Sequence, residues 1–581
     1  MDLKCRVVIF TAGLIALMSG VHAKDPHWWK NSVIYQVYPK SFQSTTGNGT
    51  GDLKGVIARL PYLKDLGVDA VWLNSFYPSE SKADGGYDVS DYEGVDPDFG
   101  TMNDFKLLVE KCHNLSMRII LDFVPNHSSV EHEWFKKSVK REEPYTNFYV
   151  WRDPGPTGLF SNEAMPPNNW MSVINGSAWT YNKERNQFYL HQFLPQQPDL
   201  NYSNPEVMGK MEDVLRFWLQ RGVDGFVVDS AFALWEDQAF RDEPPIAPGV
   251  PVTDYSSLKH VYTADQDKNF DILADFRRIL DEYYKKDGVE RLMITESYTK
   301  DALTLKKYYG TKDKQVAHFP FNFFPLMTMK ADHVGVHWKN MVETWFYLFP
   351  LVEYWPNWVM GNHDHNRLSS RFSPEHTDII NIALMSTPGT FVNYYGDELA
   401  LEDSFVRRDE AQDLQGLLAQ PDQFYRKTRD PERGPMPWNK TENGGFSCGK
   451  PWIPMTTLTD VQEQQEAVKS HLKLFKSLVK MRKLNTFSKG EFAIDVYNAT
   501  TVEVLIITRS FIDHPTVLTV VNFGRYPVSV DLRKYRPTLP NKLYVYASSA
   551  NSPSYPREIL PVDPLLLVPV SGIVLSTSTL D

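Results

Sequence analysis

The sequence predicts an α/β fold, a (β/α)8 TIM barrel with a domain B inserted after strand three and a C-terminal all-β sandwich. Three observations carry this. Short apolar β-type runs alternate with longer helical patterns from about residue 32 to 485. The alternation breaks between about 127 and 204 into a stretch rich in Asn, Pro, Trp and Tyr, too long for an ordinary loop. From about 486 the chain turns to short β-branched runs separated by Pro, Asn and Asp. A doubly wound open sheet is the alternative for the alternating part until the motifs are read.

Taken in order, Val33 to Tyr38 reads as the first strand, Asp52 to Leu66 as a helix with Asp52 at its N-cap, and Ala70 to Leu73 as the second strand. Asn103 to Asn114 follows as a helix and Arg118 to Val124 as strand three. After the insertion come the helix Glu206 to Gln220, the strand Gly225 to Asp229, the helix Phe276 to Tyr284 and the strand Leu292 to Glu296. Later strands are expected at Ala317 to Phe321, Trp358 to Gly361 and Thr390 to Tyr394, and a last long helix at Val468 to Leu484. Thr501 to Thr508, Thr516 to Asn522 and Val528 to Leu532 read as sandwich strands. The domains expected are a signal peptide at 1–23, the barrel at 24–126 and 205–485, domain B at 127–204 and the sandwich at 486–581.

Lys4 and Arg6 precede the apolar run Val7 to Met18, and Val21-His22-Ala23 suits cleavage, so the leader reads as secretory. An uncleaved anchor is the alternative, but that run is too short to span a bilayer. No transmembrane segment is expected in the mature chain, and its localisation is expected to be extracellular. Seven N-x-S/T sequons, at Asn48, Asn114, Asn126, Asn175, Asn201, Asn439 and Asn498, suit that route. Cys112 and Cys448 remain after cleavage, as one disulfide or two free thiols. A formal net charge of -11 excludes nucleic acid and anionic membranes as expected partners. No sequence signal sets an oligomeric state. The 15 Trp, 29 Tyr and 33 Phe exceed what packing usually demands, and such rings stack on sugar faces.

In such a barrel the reactive groups lie at the C-terminal ends of strands. Asp122, Asn126 and His127 end strand three, Asp229 strand four, Glu296 strand five, and His363 and Asp364 strand seven. A single strand-end carboxylate is more often a cap or an ion-pair partner than a catalyst. Asp229, Glu296 and Asp364 would converge on one mouth, and two carboxylates facing each other across a cleft are the apparatus of glycoside hydrolysis, in which one attacks the anomeric carbon and the other protonates the leaving oxygen. Metal-dependent hydrolysis is a competing use of the same residue types.

DFVPNHS at 122–128, GFVVDSAFAL at 225–234, ITES at 294–297 and GNHDHNR at 361–367 resemble, in order and spacing, the four signature regions of the α-amylase superfamily, glycoside hydrolase family 13. DGGYDVSDY at 84–92, QPDLN at 197–201 and RGPMPWN at 433–439 narrow the resemblance to the maltase and oligo-1,6-glucosidase branch, with the secreted insect maltases most similar. The resemblance implies Asp229 as nucleophile, Glu296 as general acid/base and Asp364 as the carboxylate that stabilises the oxocarbenium-like state. It implies His127 and His363 as donors to sugar hydroxyls, and Asp84 and Tyr87 as the closed end of a glucose pocket. Phe193 and Gln197 would border that pocket, and Arg433 would close it beside Asp84. A closed pocket implies exo-action on maltose, sucrose or short α-1,4-linked oligosaccharides, and Ser230, after the nucleophile, is of the small or hydroxylated type found in α-1,4 enzymes. No cofactor is required.

Two positions depart from the family. Val227 stands where members carry Arg, two residues before the nucleophile and on the same side of the strand. That guanidinium would keep Asp229 ionised and fix its rotamer. Its loss leaves two function classes open, an α-glucosidase or a glucosidase-like binding or receptor protein with weakened or no turnover. Second, the loop that holds Ca²⁺ in many relatives reads Ser44-Thr45-Thr46-Gly47-Asn48-Gly49-Thr50-Gly51-Asp52 here. Asp52 is its one carboxylate, so weak or absent Ca²⁺ binding is expected.

Overall fold

The computed structural model describes residues 26–155, 164–174, 176–456, 458–499 and 502–580. The leader at 1–23 and the sequon at Asn175 lie outside the described residues. Among the described residues eight parallel strands are each followed by a helix, in the order β1 (Val33–Val37), α1 (Leu53–Leu66), β2 (Ala70–Leu73), α2 (Met102–Asn114), β3 (Arg118–Phe123) and α3 (Pro205–Leu219). The series continues with β4 (Gly225–Val228), α4 (Asp267–Asp287), β5 (Leu292–Thr295), α5 (Ala302–Tyr309), β6 (Phe319–Pro320) and α6 (Gly335–Leu348). It ends with β7 (Asn357–Val359), α7 (Pro374–Met385), β8 (Thr390–Tyr394) and α8 (His471–Arg482). The strands pair in the order β7-β8-β1-β2-β3-β4-β5-β6. They are buried along nearly their whole length, so they read as apolar runs without alternation.

The backbone ladder stops between β6 and β7, and one side chain bridges the seam. Asn357 Nδ2 donates to the Pro320 carbonyl at 2.8 Å, and its Oδ1 accepts from the Asn322 N–H at 2.8 Å. Pro320, which has no N–H, also explains why β6 is two residues long where the apolar run predicted five. Helix α4 starts nine residues before the expected Phe276, because Phe270, Ile272 and Leu273 extend its buried stripe among polar neighbours that obscured the period. Helix α8 starts at His471 instead of Val468, where the Ser470 hydroxyl caps the Lys473 N–H. Asp52 caps α1 by accepting from the Gly55 N–H, and Gly67, at φ 89°, ends that helix in the left-handed region open to glycine.

Between β3 and β4 the chain forms a small antiparallel sheet from Trp151–Arg152, Trp179–Asn182 and Gln187–Leu190, packed around Val150, Trp170, Ala178, Trp179, Phe188 and Leu190. Buried polar groups fasten this insertion to the end of β4. Gln192 Nε2 donates to Asp199 Oδ2 at 2.8 Å, to the Ala233 carbonyl at 2.9 Å and to Glu236 Oε1 at 3.1 Å, while Asn126 Nδ2 donates to the Ala233 carbonyl at 2.6 Å. Asn126 is thus an internal strut, and only 1% exposed, so its sequon is closed to a glycan in the folded chain.

The last domain is a six-stranded antiparallel sheet faced by the two-stranded pair Val528–Val530 and Leu565–Leu567. Period two divides its strands between two cores. Val504 and Ile506 face the sandwich interior, whereas Leu505 and Ile507 join the barrel core. On the neighbouring strand Val517–Asn522, the Thr519 hydroxyl bonds that of Ser386 at the end of α7, 2.7 Å away. Cys112 is buried and Cys448 exposed, and both are free thiols. Among the described residues no helix is long and apolar enough to cross a membrane.

Candidate active site

Nine of the residues singled out from the sequence line one cavity of about 540 Å³ at the C-terminal end of the barrel. They are Asp84, Tyr87, His127, Phe193, Asp229, Ser230, Glu296, His363 and Asp364. Parallel strands bring His127, Asp229, Ser230, Glu296, His363 and Asp364 together, because each follows its strand by only a few residues, whereas Asp84 and Tyr87 come from the longer loop after β2 and Phe193 from the insertion. The backbone turns sharply at two of these positions. Ser230, directly after Asp229, has φ 51°, and Asp84 has φ 49°, a region that costs a non-glycine residue energy and that functional sites often contain.

Asp364 lies under two guanidiniums. Arg429 Nη1 bonds its Oδ1 at 3.1 Å and Arg433 Nη2 bonds the same oxygen at 2.8 Å. Burial alone would raise this carboxyl, but His363, Arg429 and Arg433 outweigh it and hold Asp364 well below the usual carboxylate range. Burial in turn lowers His363 to about 4, so at neutral pH the ring is uncharged and the arginines carry the effect. His363 Nδ1 accepts from Gln36 Nε2 at 3.1 Å, which leaves Nε2 as the protonated nitrogen, facing Asp364 Oδ2 at 3.5 Å.

Arg433, expected beside Asp84, has its Nη1 against neighbouring Gly85 but makes no ion pair with Asp84. The guanidinium on Asp84 belongs to Arg429, whose Nη2 also bonds Asp413 Oδ1 at 2.6 Å. Arg433, 2% exposed, sits beneath the pocket with its Nε on the His363 carbonyl at 2.8 Å. The short turn Pro431–Arg433 brings the two arginines to Asp364 together, and four residues of spacing could not tell them apart. Gln197 also lies behind the wall, donating from Nε2 to His127 Nε2 at 3.0 Å. His127 Nδ1 in turn faces Asn126 Oδ1 at 2.7 Å. In that pairing His127 Nε2 accepts and the ring proton lies on Nδ1, so donation from Nε2 to a ligand hydroxyl requires the other tautomer, which the Tyr87 carbonyl 3.2 Å from Nε2 would accept from. Burial lowers His127 to about 4, so this ring too is neutral.

Asp229 has a different setting. The Ser230 hydroxyl donates to its Oδ2 at 2.9 Å, and among the described residues it forms no ion pair. Val227, 1% exposed, lies in register with Asp122 on β3 and Ile294 on β5, so the strand offers carboxylate and apolar neighbours where a cation was expected. Burial first, and then the Asp122 carboxylate, push Asp229 up to about 7, and Asp364 and Asp84 add to this. Glu296 is raised well above the usual range by burial and then by Asp229, Asp364 and Asp122. Asp122 itself is held by Tyr87 Oη at 2.6 Å, Trp72 Nε1 at 2.6 Å and the Ser75 N–H at 3.0 Å, and burial raises it to about 6. Tyr87 stacks on the His363 ring at 5.4 Å and 10°.

Asp52 lies outside this cavity. Both its oxygens accept from its own chain, from the Gly55 N–H at 2.7 Å, the Thr45 N–H at 2.7 Å and the Thr45 hydroxyl at 3.0 Å. That donor set fits a helix cap. Among the described residues no group of three or more His, Cys, Asp or Glu is placed to hold a metal ion.

The family described as the α-amylase catalytic domain matches residues 36–490. The chain belongs to the α-amylase family. Within this family of glycoside hydrolases it is 39% identical to the salivary alpha-glucosidase of Aedes aegypti over 577 residues, 98% of each chain. It is 40% identical to maltase 1 of Drosophila virilis over 559 residues, 94% of this chain and 87% of the other. The crystal structure of the alpha-glucosyl transfer enzyme XgtA superposes with a TM-score of 0.80 at 32% identity, over 95% of this chain and all of that one. The α-amylase-family barrel, the all-β C-terminal sheets and the strand-end carboxylates are thus one assembly.

Proposed function

We propose that the protein is a secreted, exo-acting α-glucosidase that releases terminal α-linked glucose from maltose, sucrose or short oligosaccharides with retention of configuration. The observation that carries this reading is the division of charge states among three carboxyl groups on one cavity. Asp364 is kept ionised by two arginines, burial and acidic neighbours raise Glu296 toward its protonated form, and Asp229 titrates at about 7. In this reading ionised Asp229 attacks the anomeric carbon while Glu296 gives its proton to the leaving oxygen. Glu296, now a carboxylate, then takes a proton from the water that hydrolyses the glycosyl ester and releases Asp229. Asp364 faces the charge that develops on the sugar ring.

Asp84, Tyr87 and Arg429 line the cavity with Asp229 and Glu296, and the family resemblance makes the Asp84 and Tyr87 side its closed end, which supports exo-action. The leader pattern at 1–23 and the name of the Aedes aegypti relative support secretion. The complete carboxylate set supports turnover over a binding-only role. No step calls on a metal. The test is proton NMR of glucose release from maltose at early times. The α-anomer should appear first and mutarotate later. Initial release of the β-anomer would contradict the double displacement, and no release from maltose, sucrose or a synthetic α-glucoside would favour the binding-protein reading.

A further inference from the structure

A second feature lies on the far side of α8. Its apolar residues Leu472, Leu474, Phe475, Leu478, Val479 and Met481 are buried. Lys473, Lys476, Lys480 and Lys483 are exposed, and Lys469, just before the helix, is partly so. Spacings of four, three, four and three keep all five lysines on one stripe. They line a groove of about 630 Å³ whose other walls are the end of α1 at Asp65 to Gly67 and the C-terminal sheet at Tyr546, Ala547 and Ser548. Of the residues lining this groove, five are lysines and one, Asp65, is a carboxylate, in a chain whose formal net charge is -11. The concentration of positive charge is therefore local.

The ammonium groups are only partly committed. Lys476 pairs with Asp65 at 2.5 Å and Lys483 with Asp69 at 3.1 Å. Lys469 donates to the carbonyls of Ser552 and Ser554 at 2.5 and 2.9 Å, and Lys473 to that of Ala467. Contacts to carbonyls leave the positive charge without a counter-charge. Among the described residues Lys480 has no ion-pair partner. From Lys473 to Lys483 the helix rises roughly 15 Å, so a ligand must carry several charges along a line to use the stripe.

We propose that this groove binds a linear sulfated polysaccharide, at a site separate from the glucoside pocket. Its concave shape, walled by α1 and the sheet, excludes a flat bilayer surface. Nucleic acid is disfavoured because single-strand binding relies on rings that bases can stack on. Tyr546 is the one ring among the lining residues, and its hydroxyl is tied to the Ser477 carbonyl at 2.9 Å. Flexible lysine stems carrying point charges suit sulfates spaced along a chain, whereas planar bidentate recognition of a single phosphate favours arginine, which the lining lacks. Each contact alone contributes little, so affinity should arise from their number and fall steeply with salt.

The test uses the full purified chain and heparin as the probe, with affinity measured by calorimetry across a salt series. The native protein should bind at low salt. Lys473→Glu/Lys480→Glu should bind at least about tenfold more weakly, with a shallower dependence of affinity on salt, since two ion contacts are lost. Lys106→Glu/Lys210→Glu changes net charge equally elsewhere on the surface and should bind like the native chain. Hydrolysis of a synthetic α-glucoside should be the same in all three proteins, which separates this site from the catalytic reading. The proposal is overturned if the native chain does not bind heparin at low salt, or if both double variants lose affinity alike. It is also overturned if single-stranded DNA of matched charge competes as well as heparin does.

Discussion

Val227→Arg should raise kcat/KM on a synthetic α-glucoside by about 10²- to 10⁴-fold, corresponding to about 3 to 5 kcal/mol of transition-state stabilisation. Residues 227 and 229 project to the same side of β4, so a guanidinium at 227 would lie against the nucleophile. Its charge would be met by the Asp122 and Asp229 carboxylates, with Asp122 directly opposite in the β3 register. A buried Arg there would thus be paired. In the native chain Asp229 is pushed up to about 7, so the proposed nucleophile is largely protonated in mildly acidic solution. If ionised Asp229 is the attacking group, the native rate should rise with pH through about 7, and the raised pKa of Glu296 should move the alkaline limb to higher pH than an ordinary carboxylic acid would give. Arg at 227 should shift the acid limb downward by at least about one pH unit as well as raise the plateau. Val227→Leu, which stays apolar, should do neither. A native acid limb near that of an ordinary carboxylate, or equal turnover in native and Val227→Arg proteins of equal Tm, would contradict the account.

Arg429→Met should destabilise the protein by about 3 to 5 kcal/mol at neutral pH and abolish measurable substrate binding at the same time. Arg429 joins Asp84, Asp364 and Asp413, and the Asp413 side chain is wholly buried. Removing one cation leaves three carboxylates with only Arg433 nearby, and Arg433 bonds Asp364 alone among them. The pH dependence separates this from a simple packing defect. Burial would raise Asp413, but Arg429 and Arg433 outweigh it and hold it low, and Asp364 is held low in the same way. Groups whose folded pKa is depressed contribute stability that is present above their unfolded value near about 4 and is lost as pH falls through the folded value. The difference between native and variant should therefore be largest at pH 7 and shrink below about pH 4. Urea unfolding midpoints at several pH values provide the check. A loss independent of pH would assign Arg429 a packing role.

The fold was legible because barrel strands covered on both faces leave continuous apolar runs, and helices capped by Asp52, Thr101 and Ser470 leave periodic ones. Where periodicity was diluted, as at Asp267 to Phe276, the reading began the helix too late. The candidate site was legible wherever a polar residue ended an apolar strand, as at Asp229, Glu296 and Asp364. Arg429 was missed for the opposite reason. It sits in an irregular loop, and only the folded chain shows which of two nearby arginines meets Asp84. The Gln192 strut to Asp199 and Glu236 is likewise a tertiary fact, joining residues up to 44 positions apart. Val227 was visible as a letter, whereas the acidic company around Asp229 that gives it consequence was not.

The central claim is that Asp229 is a nucleophile that still works without its guanidinium. The most direct measurement is covalent trapping with a fluorinated α-glucosyl fluoride, followed by digestion and mass spectrometry. The account predicts one glucosyl ester, on Asp229, that forms faster as pH rises through about 7 and is absent in Asp229→Asn. A label on another residue, or unlabelled protein that nonetheless releases glucose from maltose, would contradict it.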